Sequence, residues 1–199
     1  MTPRSYDAER TKNLIIQEAK NLFGKKGYAA TSIEDICEAA GCSRGSVYYH
    51  FKSKEDIFVN LAEQSFGDAA AAWSELAGTF ASATDKLYGY AEYFVASHNR
   101  PLNKAGEEFI AKVGAESEIG MRFFGIVMGA MDSMEAIATE GIASGEFKAE
   151  NPKELAFTIM SYYSGLSDSR MFMDEDGMKA LFRRATTLLL EGLSAGKPN

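Results

Sequence analysis

The chain has 199 residues, of which 46% are hydrophobic and 25% are charged, a composition typical of a globular protein with enough apolar mass for a core. No apolar run approaches the roughly 20 residues that span a bilayer, which argues against a membrane protein. The N-terminal segment, residues 1–10, is polar and carries both charge signs, unlike a secretory signal, so we expect a cytoplasmic protein.

The net charge of −7 is unevenly distributed, which bears on whether nucleic acid is a partner. Residues 1–60 hold nine Lys and Arg against eight Asp and Glu, whereas residues 61–199 hold twelve against twenty. The acidity therefore belongs to the second part, and a DNA-binding face needs only local positive charge. The two cysteines, Cys37 and Cys42, are too few for a disulfide framework and fit a reduced protein.

Helical periodicity dominates the first 60 residues. Apolar residues three or four positions apart predict a helix over about 7–26, which Gly27 ends. Ser32, with Asp35 three residues later, is a capping-box signature and predicts a short helix that Gly41 closes. Ser43 is placed to cap a second short helix over about 44–51.

The remaining chain also has a helical pattern, and no segment predicts a strand. Ser53 with Asp56 opens a long helix through Trp73, and Pro101 ends a later one because proline disfavours helix in the residue before it. Asn151 followed by proline is a strong start signal. A charged segment, residues 174–177, predicts a break. We therefore expect an all-α protein of about nine helices, with later helices over about 82–97, 116–144, 151–169 and 177–193.

The two short helices and the glycine-containing turn between them have the dimensions of a helix-turn-helix. In that motif the second helix enters the major groove, and its first residues meet base edges. Arg44 can pair bidentately with a guanine, Gly45 permits close backbone approach, and Ser46 can donate or accept. Lys54 lies in the first turn of the next helix, where free N–H groups favour a phosphate.

Residues 27–36 and 39–55 closely resemble the N-terminal domain of the tetracycline-repressor (TetR) family, most specifically in the run Tyr-Tyr-His-Phe-Lys-Ser-Lys at 48–54. The resemblance covers about residues 10–60 and departs at Cys37 and Cys42, where the family more often has alanine and an aliphatic residue. It implies a dimeric repressor that leaves DNA when an effector binds the C-terminal domain. By position, the resemblance implies contacts with bases from Arg44, Gly45, Ser46 and Tyr48. It implies contacts with the sugar-phosphate backbone from Ser32, Tyr49, His50 and Lys54. The predicted DNA contacts are Ser32, Ser43, Arg44, Gly45, Ser46, Tyr48, Tyr49, His50 and Lys54.

The second part of the chain is rich in methionine and aromatic residues. Most of these are expected to pack in the core, but methionine also suits sites that adapt to several apolar shapes, and tyrosines add polar tips to an apolar pocket. We therefore expect a small, mainly apolar effector. The predicted pocket residues are Tyr93, Phe124, Met128, Met131, Tyr162 and Tyr163.

The last two predicted helices each carry an apolar stripe, and Gly165 and Ala185 permit close helix approach. In the family this pair forms the dimer interface; the alternative is a monomer core. A symmetric dimer would read two half-sites of a palindrome. We expect a DNA-binding domain at 1–55 and an effector-binding and dimerisation domain at 56–199.

Several other functions are less well supported by the sequence. No spacing of His, Cys or carboxylates predicts a metal site, no catalytic pairing predicts an enzyme, and no cofactor is expected. Three alternatives are not excluded by the sequence: a protein-interaction module, a carrier that uses the C-terminal cavity, and an activator in place of a repressor. A redox role for Cys37 or Cys42 is also left open, although free cysteine commonly behaves only as a small buried hydrophobe.

Overall fold

The computed structural model describes residues 3–97, 100–148 and 151–193. These residues form ten α-helices and one short 3₁₀ helix with no strand among them, so the predicted all-α class is confirmed. The 3₁₀ helix, Asp168–Met171, lies between the last two α-helices. The helices are α1 (Pro3–Lys26), α2 (Ile33–Ala40), α3 (Arg44–His50), α4 (Lys54–Ala77), α5 (Ala83–Ser97), α6 (Arg100–Val113), α7 (Glu118–Gly129), α8 (Asp132–Ala143), α9 (Pro152–Ser167) and α10 (Glu175–Leu193).

The described residues divide into two compact units. The N-terminal unit comprises Met1–Gly67 and Asn99–Val127, and the C-terminal unit comprises Asp68–His98 and Met128–Asn199. The N-terminal unit therefore holds α6 and most of α7 besides the helix-turn-helix. The predicted domain boundary near residue 55 stays a prediction.

An aromatic cluster forms the core of the N-terminal unit. Phe58 stacks on Phe109 with ring centroids 4.8 Å apart, and Phe23 meets Phe58 edge-on at 5.1 Å. Tyr28 and Phe123 complete the cluster, each within 5.7 Å of Phe58. Such edge-on and offset pairs add stability beyond the area they bury. The cluster joins α1, α4, α6 and α7 and so provides the frame that supports α2 and α3.

The C-terminal unit has a second aromatic core. Phe94 of α5 stacks on Phe182 of α10 at 5.7 Å, and Trp73 of α4 meets Tyr90 edge-on at 4.8 Å. Tyr163 of α9 is fully buried between Phe94 and Phe182. The core therefore ties α4, α5, α9 and α10 together around large side chains.

The structure corrects three sequence predictions. Pro101 is predicted to end a helix, yet it lies in the first turn of α6, a helix that the sequence does not predict, where its missing N–H leaves no helix hydrogen bond unmade. The single helix predicted over 116–144 is two, because Gly129 weakens the helix and Asp132 starts α8. The predicted break at 174–177 is largely the first turn of α10, since Asp174 accepts from the N–H of Gly177 at 2.9 Å. The predicted break at His98 and Asn99 lies outside the described residues, as does the tail from Ser194.

Candidate nucleic-acid interface

The start of α2 is held by a reciprocal capping box. Ser32 N–H donates to Asp35 Oδ2 at 2.8 Å, and Asp35 N–H donates to Ser32 Oγ at 3.1 Å. Lys26 Nζ lies 2.7 Å from the same Asp35 carboxylate. Lys26, and then the hydrogen bonds from Ser32, hold the pKa of Asp35 well below its usual range. The predicted cap is therefore present, and an ion pair ties it to the end of α1.

The turn between α2 and α3 depends on Gly41. Its φ of +61° lies in the left-handed region, which is strained for residues with a Cβ. Gly41 N–H donates to Glu38 O at 3.2 Å and Cys42 N–H donates to Cys37 O at 3.0 Å. These two bonds satisfy the last carbonyls of α2 in the Schellman pattern and fix where α3 begins.

Helix α3 buries one side chain and presents polar side chains outward. Ser43 caps it by accepting from Ser46 N–H at 3.1 Å, and Val47 is fully buried. Tyr48 is 48% exposed and Tyr49 is 79% exposed. Large aromatic side chains left this exposed on a capped helix are available for a partner.

The Arg44 guanidinium lies beside acidic and phenolic groups at the start of α3. Its Nη1 is 2.7 Å from Glu34 Oε1 of α2, and both side chains are more than 60% exposed. A hydrogen bond with Tyr48, and then the charge of Glu34, raise the pKa of Arg44. An exposed pair of this kind contributes little stability, so a nucleic-acid partner can replace Glu34 at small cost.

Lys54 makes contacts inside the unit that the sequence did not reveal. Its ammonium donates to the carbonyls of Tyr28 at 2.8 Å and Thr31 at 2.7 Å, and it lies 4.2 Å from the centroid of the Tyr28 ring. Burial, and then the charge of Lys112, lower the pKa of Lys54. The ammonium thus fixes the segment that leads into α2, and its predicted contact with phosphate stays a prediction.

Two acidic residues that the sequence reasoning missed also hold this segment. The Tyr28 hydroxyl donates to Glu55 Oε1 at 2.9 Å, and Ala29 N–H donates to Glu108 Oε2 at 3.0 Å. Glu108 had no visible role because α6 itself was not predicted.

The residues predicted for the effector pocket occupy different surroundings. Tyr163 is fully buried and its hydroxyl lies 2.7 Å from Thr186 Oγ1, whereas Tyr162 is partly exposed. The Tyr93 hydroxyl donates to Ala69 O at 2.7 Å. Phe124 is exposed and belongs to the N-terminal unit.

Met128 and Met131 are the two members of that set that meet in one hollow. The hollow belongs to the C-terminal unit and has a volume of about 270 Å³. Asp132, Glu135 and Lys153 also line it, so its rim is charged. The complete six-residue pocket stays a prediction.

The outer faces of α9 and α10 leave apolar side chains exposed. Phe157 is 59% exposed and Leu188 is 48% exposed, and Met171 of the 3₁₀ helix and Phe172, which follows it, are exposed as well. Among the residues that the structure describes, no three His, Cys, Asp or Glu side chains converge as metal ligands. None of the described helices is long and apolar enough to cross a membrane.

Two family models match this chain along most of its length. Residues 68–195 match the model of the C-terminal region of QacR-like proteins, and residues 15–61 match the model of the tetR family of bacterial regulatory proteins. The chain belongs to the TetR family. Like other TetR-family members, it is a helix-turn-helix transcriptional regulator with a ligand-binding C-terminal domain, which confirms the family resemblance seen in the sequence.

Individual TetR-family proteins resemble the chain over nearly its whole length. The HTH-type transcriptional regulator QacR of Staphylococcus aureus is 24% identical over 184 residues, which cover 92% of this chain and 98% of QacR. A putative transcriptional regulator from Saccharomonospora viridis, solved in complex with choline, is 18% identical with a TM-score of 0.77 and covers 94% of this chain and 99% of that one.

FadR from Bacillus subtilis, solved in complex with stearoyl-CoA, is 22% identical with a TM-score of 0.69 and covers 90% of this chain and 97% of that one. At these identities, the two structural likenesses establish the fold.

Proposed function

We propose that the protein is a ligand-responsive repressor that binds a palindromic operator as a homodimer and is released by a small, mainly apolar effector. The observation that carries this proposal is the surface of α3. This capped helix buries only Val47 and leaves Arg44, Tyr48 and Tyr49 exposed. A short exposed helix after a glycine turn is the part of a helix-turn-helix that enters the major groove.

The proposed contacts follow from positions on α3 and its flanks. Arg44, Gly45, Ser46 and Tyr48 are proposed to meet base edges. Arg44 would exchange Glu34 for the two acceptors of a guanine. The predicted backbone contacts are Ser32, Tyr49, His50 and Lys54, and Ser43 is a further predicted contact with DNA.

Dimerisation through α9 and α10 is supported by the apolar side chains that these helices leave exposed. Phe157, Tyr162 and Leu188 are each exposed by a third or more. Burying them against the same surface of a second copy would remove apolar area from water at about 25 cal/mol per Å². A twofold dimer would present two copies of α3 to two half-sites.

The apolar character of the effector is supported by the methionines of the C-terminal unit, of which Met128 and Met131 line a hollow. Among the structural neighbours, one is described in complex with choline and one with stearoyl-CoA. Both molecules carry apolar groups beside a charge, and the hollow likewise carries the charged side chains of Asp132 and Lys153. We propose that residues 56–199 bind the effector and that residues 1–55 read DNA.

The proposed mechanism is a shift in population between two conformers. The effector binds more tightly to the conformer whose two recognition helices are wrongly spaced for the operator, and coupling of this kind is typically about 1–3 kcal/mol. An effector that left operator affinity unchanged would contradict the switch.

The first test is selection of genomic fragments by the purified protein, repeated at two salt concentrations. Tyr48→Ala and Arg44→Ala are the test variants. Arg122→Ala is the control, because Arg122 of α7 also lies beside a carboxylate, 2.8 Å from Glu63 Oε2, and α7 is proposed to contact neither DNA nor a second copy. Each of the two arginine changes removes one exposed positive charge from a carboxylate pair.

Recovery of one palindromic fragment, bound in a salt-sensitive way, would support the proposal if both α3 variants lost it and Arg122→Ala kept it. Phosphate contacts make binding weaken steeply with salt, whereas an apolar protein interface does not. If no fragment is enriched, or Arg44→Ala binds as well as Arg122→Ala, then α3 does not read DNA.

A further inference from the structure

We propose that Cys37 and Cys42 form an oxidisable dithiol that peroxides convert to a disulfide across the helix-turn-helix turn, weakening the hold of α3 on DNA. The modification site goes beyond the proposed function, and only its effect on DNA rests on that function. The chain contains two cysteines. Any disulfide formed within one molecule is therefore this one.

The turn itself brings the two side chains together. Cys37 is the residue whose carbonyl accepts from Cys42 N–H at 3.0 Å, with Gly41 in the left-handed conformation between them. In a Schellman turn these two positions are the ones whose side chains meet, and a hydrophobic contact usually occupies them. Here two thiols occupy them, and the nearby Cys37 is among the causes that raise the pKa of the Cys42 thiol.

The surroundings leave the pair accessible to a small reagent. Both cysteines are partly exposed at the edge of the N-terminal core. Burial, and then contact with Cys37, raise the pKa of the Cys42 thiol. The thiolate is the nucleophile. In the proposed order Cys37 attacks first and Cys42 second, and the reverse order gives the same disulfide.

The proposed reaction needs one molecule of hydrogen peroxide. The Cys37 sulfur attacks a peroxide oxygen, the O–O bond breaks, and a sulfenic acid and one water form. The Cys42 sulfur then attacks the sulfenic sulfur, displacing its oxygen as a second water and forming the S–S bond. Two sulfurs lose two electrons and two protons, and the peroxide is reduced to two waters.

Closing this bond acts directly on the start of the recognition helix. The sulfurs must approach to about 2 Å, which draws Cys42 toward α2. Cys42 immediately precedes Ser43, whose hydroxyl caps α3, and Arg44 follows. A shift of the cap displaces the side chains proposed to meet base edges, so we expect operator affinity to fall about fivefold or more, within the usual range of coupling between sites.

The test treats the full chain with hydrogen peroxide at low protein concentration and reads three quantities. Intact mass detects loss of two hydrogen atoms, labelling of free thiols counts the unreacted cysteines, and fluorescence anisotropy measures affinity for the selected fragment. The variants are Cys37→Ala and Cys42→Ser, with a dithiol reductant as the reversal step. Alanine at position 37 suits a helix, so this variant is expected to fold.

The expected result is a disulfide within one chain and no free thiol, with weaker DNA binding that recovers on reduction. Peroxide should leave the DNA affinity of both variants unchanged. Stable sulfinic acids, a disulfide between two chains, or two thiols still free would overturn the modification site. A disulfide that leaves DNA affinity unchanged would overturn the proposed effect of the modification on DNA binding. If the reduced protein binds no DNA, the proposed function fails, while the mass and labelling results still decide the modification.

Discussion

The carboxylate of Glu108 in α6 accepts a hydrogen bond from the backbone N–H of Ala29, 79 residues earlier in the chain, at 3.0 Å. The same carboxylate lies against Gly27, where an added Cβ would stand 2.7 Å from Glu108 Oε2. Helix α6 therefore holds the segment between α1 and α2 through a charged acceptor. This contact lies inside the N-terminal unit that carries α3.

Glu108→Ala is expected to lower the free energy of unfolding by about 1 kcal/mol, because Ala29 N–H loses a charged acceptor. Glu107→Ala is the control, since Glu107 is an exposed neighbour on the same helix. Urea unfolding followed by circular dichroism measures both. Equal losses in the two variants would show that the Ala29 contact contributes nothing.

Gly41→Ala and Gly67→Ala are expected to change stability in opposite directions. An added Cβ meets nothing within 4 Å at either position, so packing does not separate them. At Gly41 the left-handed backbone costs alanine roughly 1–2 kcal/mol, whereas at Gly67, inside α4, alanine stabilises by roughly 0.5–1 kcal/mol. Thermal unfolding of the two variants gives the signs. If Gly41→Ala left the unfolding temperature unchanged, this would contradict the positive φ of Gly41.

Asp35 is expected to make the N-terminal unit sensitive to acid. Its folded pKa is lowered by Lys26 and then by Ser32, so its contribution is complete above the ordinary value of 3.8 and is lost as pH falls below it. Asp35→Asn should therefore be less stable than the wild type at neutral pH. The difference in unfolding temperature between the two should narrow as pH falls below 3.8. Unfolding temperatures across a pH series test this. Glu38→Gln, at an exposed position on the same helix, should not reproduce the narrowing.

Removing the buried hydroxyl of Thr186 is expected to cost more stability than removing that of Tyr163. Thr186 donates to Phe182 O at 2.8 Å, which leaves Tyr163 as the donor over 2.7 Å to Thr186. Tyr163→Phe removes only that donor and should cost about 1 kcal/mol, while Thr186→Val strands a buried hydroxyl and should cost about 1–3 kcal/mol. A double-mutant cycle in urea measures the coupling. Additive losses would show that the two hydroxyls do not interact.

Leu188→Glu is expected to convert the proposed dimer to a monomer without unfolding it. Leu188 is 48% exposed on α10, so a charge there costs little in the single chain but would be desolvated in the interface. Leu14→Glu on α1, at a residue 44% exposed, is the matched control. Light scattering should give the mass of two chains for the wild type and the control, and of one chain for Leu188→Glu. If Leu188→Glu is still dimeric, the surface around Leu188 on α10 is not the dimer interface.

The features predicted correctly from the sequence are those made by neighbours in the chain. Ser32 and Asp35 cap α2, Ser43 caps α3, and Gly41 takes the left-handed conformation between them. Each depends on residues within about five positions, so residue type and spacing suffice to predict it. The all-α class follows in the same way from helical periodicity over many residues.

The features missed from the sequence depend on choices between two local outcomes or on distant partners. Pro101 is predicted to end a helix but lies in the first turn of α6, and Gly129 lies inside a predicted helix but is the last residue of α7. Residue type alone does not decide between these positions for proline or glycine. For Lys54 the sequence shows a charge in a first turn, whereas the fold places it on carbonyls 23 and 26 residues away.

The sequence by itself determined the helical class, the helix-turn-helix with its caps, and the family. Tertiary structure alone decided that α6 holds Ala29 through Glu108, that Tyr163 is a buried core residue, and that Phe157 and Leu188 stay exposed. The physical reason is that caps and turns are satisfied by hydrogen bonds between near neighbours, while burial and long-range polar contacts exist only once separate helices have packed against one another.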